Sequence, residues 1–367
     1  MTIEDLALLF TRGIGSRGAR HLVDHFGSAE ALFRASRAEL TEGAGLRADL
    51  AERILKMEGM ASAEREILYC QRNHICTLAA TDEEYPEALR ATSDRPHVLF
   101  VRGSVEALSE HCLAIVGTRD MTPAGQHSCN MLVEGLSGVD RLVVVSGLAY
   151  GIDSAAHRAA LANNITTVAV VPSVLPSVVP APHANLADDI VAQGGAVVSE
   201  LHSATRQNGQ LFLARNRIIA GLSEGVLVVE SPASGGSLAT ADMADSYGRH
   251  VMAVPGRIGD PMSFGTNNLI RTGRARLVLT ANDIIEDMGW QKSSADAQEC
   301  CVAAPSVDKL TDAERAVLSA FDSATIVDWP QLMATTGLSM GELAMATLNL
   351  ELAGLIRTLP GKRFEKV

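Results

Sequence analysis

The chain has 367 residues, 47% of them hydrophobic and 20% charged, with a formal net charge of −12. That length holds two or three domains with a sizeable core. The acidic balance excludes nucleic-acid binding by diffuse attraction, so any such binding needs a focused basic patch.

The N-terminus, Met1-Thr2-Ile3-Glu4-Asp5, is acidic and does not read as a signal peptide. Prolines interrupt the longest apolar stretch, residues 167–179, so no transmembrane helix and a cytoplasmic location are expected. The six cysteines form no CxxC pair and read as reduced thiols without a metal site. The lysines are Lys56, Lys292, Lys309, Lys362 and Lys366, and no Walker motif or mid-chain Schiff-base lysine is available. Anion chemistry in the middle of the chain falls to arginine and backbone N–H groups.

Residues 1–66 read as a small helical domain, with Leu6, Leu9 and Phe10 at helical spacing. Gly13-Ile14-Gly15 predicts a tight turn before a helix closed by Gly27, in the manner of a helix-hairpin-helix or sterile-alpha-motif-like element. Such a turn serves either as a simple interhelical connection or as a source of N–H groups for a phosphate.

From about residue 75 to 290, apolar strand-like runs alternate with helix-length, Ala-rich segments. The runs are 113–116, 142–146, 167–171, 196–199, 226–229, 251–253 and 277–279. This alternation predicts βαβ units, hence an α/β, doubly wound, mostly parallel sheet with loops gathered at the strands' carboxyl ends. Residues 291–307, including Cys300-Cys301, read as a linker. Residues 308–367 predict three helices and a short hairpin, a winged helix, with Thr311 and Glu314 as a capping box. Its six basic and eight acidic residues, net −2, favour a protein-contact or regulatory role over DNA binding.

The strand-end loops are where chemistry is expected. Gly117 and Thr118 lead to Arg119, which can fork onto a phosphate or ion-pair with a loop acid such as Asp120. Gly147 and Gly151 permit close backbone approach. Asp153 caps the next helix, and His157 lies four residues on; the pair alone makes a poor metal site, and no metal is expected. No acid occurs between Glu200 and Glu224, which leaves Phe212, Arg215, Asn216 and Arg217 in a basic window suited to a polyanion with stackable bases. Gly235, Gly236 and Ser237 form a backbone nest ahead of a helix. Arg271, Arg274 and Arg276 form a further cluster.

The motifs IVGTR (115–119), SGLAYGIDSAAH (146–157), GGAVVSE (194–200), RNRIIAGLS (215–223), SGGSLAT (234–240), AVPG (253–256) and GTNNLI (265–270) resemble the DNA-processing protein A (DprA/Smf) family in order and spacing. The resemblance implies an extended Rossmann-like domain that binds single-stranded DNA, dimerises, protects incoming strands in natural transformation and helps load the RecA recombinase, with no cofactor and no catalysis. It also implies that Arg119 contacts DNA, that Phe212 contacts a base, and that Arg215, Arg217 and the Gly235-Gly236-Ser237 nest complete the phosphate path. One stretch departs from the family pattern. Pro172-Ser173-Val174-Leu175-Pro176 and Val179-Pro180-Ala181 replace a Gly-rich run, and this loop is expected to contribute less to phosphate binding.

A second reading is a nucleotide phosphoribohydrolase of the lysine-decarboxylase-like group, with Glu230 or Asp153 as the carboxylate. A dinucleotide-binding dehydrogenase is excluded because no GxGxxG opens the first helix.

Overall fold

In the computed structural model, described for residues 1–291, 311–321, 326–352, 355–359 and 363–366, the chain divides into two compact units, Met1–Lys292 and Ser293–Val367. Most of the predicted linker, Cys300-Cys301 included, lies outside the described residues. No helix among the described residues is long and apolar enough to cross a membrane.

The first unit opens with five helices: α1 (Ile3–Phe10), α2 (Ser16–Phe26), α3 (Ala29–Arg34), α4 (Ala48–Leu55) and α5 (Met60–Arg72). Thr2 and Asp5 form a capping box at α1. Gly27 ends α2 in the left-handed conformation that favours glycine, its N–H bonded to the Val23 carbonyl.

There follow β1 (Cys76–Ala79), α6 (Glu87–Arg90), β2 (Val98–Gly103), β3 (His111–Val116), α7 (Pro123–Gly135), β4 (Leu142–Ser146), α8 (Ile152–Ala162), β5 (Thr166–Val170) and α9 (Ala184–Ala192). The unit continues with β6 (Ala196–Ser199), α10 (Gln210–Leu222), β7 (Gly225–Val228), α11 (Gly236–Ser246), β8 (His250–Ala253), α12 (Phe264–Arg271), β9 (Arg276–Leu277) and α13 (Ala281–Met288).

These strands make one nine-stranded sheet in the order β1-β2-β6-β5-β4-β3-β7-β8-β9. From β6 to β9 every neighbouring pair is parallel. The chain moves from β3 through β4 and β5 to β6, then returns to place β7 on the other side of β3. The β3/β7 boundary is therefore the topological switch point, where open α/β sheets form a crevice.

Strands β4, β6 and β7 are buried at every residue, as expected for a sheet covered on both faces. One face packs Ile218, Ile219 and Leu222 of α10 against Val145, Val170 and Val226. The opposite face packs α7, α8 and α13 through Leu132, Ala156 and Ile284. The N-terminal helices share a core with the sheet: Leu6, Leu32 and Ile54 cluster with Phe100, Ala169, Val171 and Val197.

The second unit contains α14 (Asp312–Ser319), β10 (Ile326–Asp328), α15 (Trp329–Thr336), α16 (Met340–Leu352), β11 (Ile356–Leu359) and β12 (Arg363–Lys366), with sheet order β10-β12-β11. The expected Thr311–Glu314 capping box starts α14. Three helices over a small antiparallel sheet are the winged-helix arrangement.

Strands β1, β2 and β10 are absent from the sequence-based reading. Both β1–β2 and β2–β6 pair antiparallel, so neither belongs to a βαβ unit. The periodic alternation that reveals crossovers carries no signal for them.

Candidate nucleic-acid interface

A cleft of about 340 Å³ opens at the switch point. Its walls come from the β3–α7 loop (Gly117, Thr118, Arg119), the start of α8 (Ala149, Asp153), α10 (Phe212, Leu213, Arg215, Asn216) and the β7–α11 loop (Gly235, Gly236, Ser237), with Thr240 of α11. Loops nearly 120 residues apart in sequence meet here because β3 and β7 are adjacent. The backbone joins them: Thr118 N–H donates to the Glu230 carbonyl at 2.7 Å, and Ile152 N–H donates to the Thr118 carbonyl at 3.2 Å. Gly117 is required by this approach, since a Cβ would run into Ile152 and the Glu230 carbonyl.

Arg119 is exposed, and its guanidinium carbon lies 5.4 Å from the centroid of the Phe212 ring. Among the described residues no carboxylate pairs with it, Asp120 included. The stack orients the guanidinium without neutralising it, and leaves five N–H donors for an anion beside an aromatic face.

The helices α10 and α11 start at the cleft wall with Gly209 and Gly235 as N-caps, and neither N-cap residue supplies a side-chain cap. At α10 the Asn208 side-chain oxygen accepts from Gln210 N–H at 3.0 Å, whereas the first N–H groups of α11 lack a side-chain acceptor such as Thr122 supplies for α7. A Cβ at Gly235 or Gly236 would meet nothing closer than 3.6 Å, so packing within the chain does not demand glycine there. Ser237 is buried and donates to Ser231 Oγ at 3.0 Å, which fixes the turn.

Arg215 behaves differently. It is 5% exposed and its Nη1 donates to the carbonyls of Gly147 and Val170 at 2.5 Å each, tying α10 to the ends of β4 and β5. Its Nε donates to Asn216 Oδ1 at 3.2 Å, and Asn216 Nδ2 donates to the Gly236 carbonyl at 3.1 Å. Asp153 faces the same guanidinium. Burial pushes the Asp153 carboxyl up, and Arg215 opposes that shift; burial holds Arg215 down at about 10. Gly147 lies beneath this pair, where a Cβ would strike both the Arg215 guanidinium and the Asp153 carboxylate.

Against the expectation that Arg215 offers its charge to phosphate, its Nε and Nη1 donors are engaged inside the fold and Asp153 faces it as a counter-ion. Gly147 is likewise a packing glycine, and Asp153 is a buried counter-ion in the first turn of α8 rather than its N-cap.

Arg217 is a further correction. It does not line the cleft. Its Nη2 donates to Glu200, and both side chains are 14% exposed. Positions two apart on a helix point about 200° apart, whereas Phe212, Arg215 and Asn216 stand at i, i+3 and i+4 on one face. That spacing was legible, and it separates the two arginines.

His157 does not line the cleft. It is wholly buried, with Nδ1 2.7 Å from Thr167 Oγ1, which itself donates to the Val144 carbonyl. Burial drives the imidazole down to about 3, so it is neutral, with Nδ1–H as donor. No group of three or more metal-binding side chains occurs among the described residues.

The proline-containing loop packs away from the cleft. Leu175 and Val178 are buried with the N-terminal helices, and Tyr69 donates to the Leu175 carbonyl at 2.6 Å. Of the distal cluster, Arg274 pairs with Asp242 and Arg276 with Asp287.

A doubly wound, mostly parallel α/β sheet with an arginine held against an aromatic at its switch point, beside the uncapped start of α11, describes the class of protein by fold and cleft. Comparison with known proteins narrows the class. The family model for DNA recombination-mediator protein A matches residues 76–289; models for the DprA winged helix domain and a SAM-like helix-hairpin-helix tandem match residues 302–362 and 5–57. Protein Smf of Escherichia coli is 36% identical over 88% of this chain and 86% of its own length. DNA processing protein DprA of Streptococcus pneumoniae is 39% identical over 56% of this chain and 72% of its own length. The X-ray structure of DprA from S. pneumoniae superposes with a TM-score of 0.69 at 30% identity, covering 80% of this chain and 99% of that one. DNA processing protein A from Helicobacter pylori, whose structure concerns its single-stranded DNA binding mode, gives a TM-score of 0.53 at 28% identity, over 59% of this chain and 97% of that one. The chain belongs to the DNA recombination-mediator protein A (DprA/Smf) family.

Proposed function

We propose that this protein binds single-stranded DNA in the switch-point cleft, protects incoming strands during natural transformation and helps load the RecA recombinase in the cytoplasm. The observation that carries the reading is the Arg119–Phe212 stack, an uncommitted guanidinium against an aromatic face. Phe212 takes a base; Arg119 and the N–H groups at Gly236 and Ser237 take the adjoining phosphates, with Gly117 and Gly235 leaving room for the strand, and Thr118 and Asn216 holding the wall. The single-stranded DNA binding of the H. pylori relative supports the same ligand.

Fluorescence anisotropy with a labelled oligo-dT tests it. Arg119→Ala and Phe212→Ala each weaken binding roughly tenfold, about what loss of one stacked or charge-assisted contact costs, and the melting temperature is unchanged. Wild-type affinity in both variants overturns the assignment.

Catalysis is not part of this reading. Glu230 accepts from Thr122 N–H at 2.9 Å and from Thr122 Oγ1 at 2.6 Å, and Asp153 faces Arg215, so both candidate carboxylates of a phosphoribohydrolase are engaged. Turnover of AMP by the purified chain would restore the enzymatic alternative.

The protein acts as a homodimer in this proposal. Leu277 and Leu279 are exposed apolar side chains on and just after the edge strand β9, a surface suited to a second copy. Sedimentation of wild type and Leu279→Glu checks this: the wild type sediments as a dimer and the variant as a monomer.

A further inference from the structure

The loop between β4 and α8 carries an aromatic to which the cleft as described gives no task. Ala149 lines the cleft, and Tyr150 follows it, 49% exposed. The next residue, Gly151, is pressed against the β3–α7 loop, where a Cβ would strike the Thr118 and Arg119 carbonyls. Tyr150 therefore emerges at the rim of the cleft, one residue from the Arg119 main chain. Arg119 has one aromatic, Phe212, against its guanidinium and a second, Tyr150, beside its backbone.

The surrounding residues hold that ring in place. Leu148 has a φ of +57°, a left-handed conformation uncommon for residues other than glycine, and it is fully buried. Its carbonyl accepts from His183 Nδ1 at 2.7 Å, so Nδ1 carries the hydrogen. His183 is itself buried, and its ring meets Tyr150 in a T-shaped contact, with centroids 4.9 Å apart and planes at 66°. One imidazole thus pins the left-handed residue and buttresses the aromatic two positions on. His183 ends the short turn Ala181–His183, so the segment after the prolines serves the cleft by support from behind. A ring steadied in this way and left half exposed adds little to the core. It is prepared for a flat ligand, since little side-chain freedom remains to be lost on contact.

We propose that Tyr150 is a second base platform of the cleft. Phe212 stacks one base, Arg119 holds the phosphate beside it, and Tyr150 stacks a base on the other side of that phosphate. The contact is with the ring face, so it tolerates any base and adds no charge. This inference deepens the assignment of single-stranded DNA to the cleft and rests on it.

Fluorescence anisotropy on the full chain tests it with two labelled probes of equal length. One is oligo-dT, and the other is an abasic strand that keeps the sugars and phosphates and lacks the bases. Tyr150→Ala should weaken oligo-dT binding about tenfold, the loss of one stacked base, and leave affinity for the abasic strand and the melting temperature unchanged. Tyr150→Leu, which keeps apolar bulk against His183, should lose as much. Tyr150→Phe, which restores the ring, should restore the affinity. If Tyr150→Ala binds oligo-dT like wild type while Arg119→Ala and Phe212→Ala weaken it, this proposal falls and the reading of the cleft stands. Wild-type affinity in all three variants overturns both. Equal losses toward the two probes, or a loss that Tyr150→Phe does not restore, would assign Tyr150 to phosphate contact or loop shape and sink the second platform.

Discussion

Arg119 and Arg215 differ in what surrounds the guanidinium, and that decides what each can do. Arg119 is exposed and touches an aromatic ring; Arg215 is buried against two carbonyls, Asn216 and Asp153. Removing Arg119 deletes the proposed ligand contact and leaves no buried group without a partner, so stability stays within roughly 0.5 kcal/mol. Removing Arg215 strands the Asp153 carboxylate and two carbonyls in the interior, and breaking such a pair from one side costs about 3–5 kcal/mol. Arg215→Ala is therefore expected to lower the urea midpoint sharply, and to lose DNA affinity only as a consequence of lost fold. The pair Arg215→Met/Asp153→Leu removes both charges and should recover part of the stability. An Arg215→Ala variant with a wild-type midpoint and weakened oligo-dT binding would return Arg215 to the ligand path.

The same contrast recurs along α10, whose three faces have separate tasks. Phe212 and Asn216 line the cleft, Ile218 and Ile219 pack on the sheet, and Arg217 reaches Glu200 beyond β6. Burial raises the Glu200 carboxyl, and Arg217 opposes that shift while Asp94 adds to it. Arg217→Glu would put a third carboxylate beside Glu200 and Asp94. It is expected to destabilise the fold by about 3 kcal/mol, at the lower end for breaking a largely buried pair. Thermal melting should register a clear fall, and Glu200→Gln in the same chain should restore part of it. Loss of oligo-dT binding with an unchanged melt would place Arg217 in the interface after all. The sequence makes the strands β3 to β8 legible because each is a short apolar run followed by a helix. It also marks Arg119 and Phe212, which sit where strand and helix ends must lie. What it conceals is partnership. That Arg217 meets Glu200, that Arg215 faces Asp153, and that β2 pairs with β6 all depend on chain segments far apart in sequence. Helical phase alone could have separated Arg215 from Arg217; their counter-ions could not have been found without the fold.

At the scale of the molecule, the proposed binding of a polyanion has to work in a chain of net charge −12. The N-terminal helices bear on this through shape. Glu66 of α5 accepts from Ser203 N–H at 2.8 Å and from its hydroxyl, and Phe10 packs against His202 with ring centroids 4.3 Å apart and planes tilted by 52°. These contacts fix the segment that leads into α10 and hence the approach to Phe212, so the proposed binding rests on prepared geometry more than on accumulated charge. Arg119 is the unpaired cation on the cleft wall, and the other donors are backbone N–H groups, which release no counter-ions of their own. The dependence of affinity on salt should then be shallow. With about one phosphate neutralised, log Kd against log salt should have a slope near 0.7, since each phosphate on a single strand contributes about 0.7. Arg119→Ala should lower that slope by about 0.7, whereas Phe212→Ala should weaken binding at every salt concentration and leave the slope alone. A slope above about 4 in the wild type would require a broad basic track, which the paired arginines Arg217, Arg274 and Arg276 do not supply. Such a slope would mean that the strand runs over a surface other than this cleft.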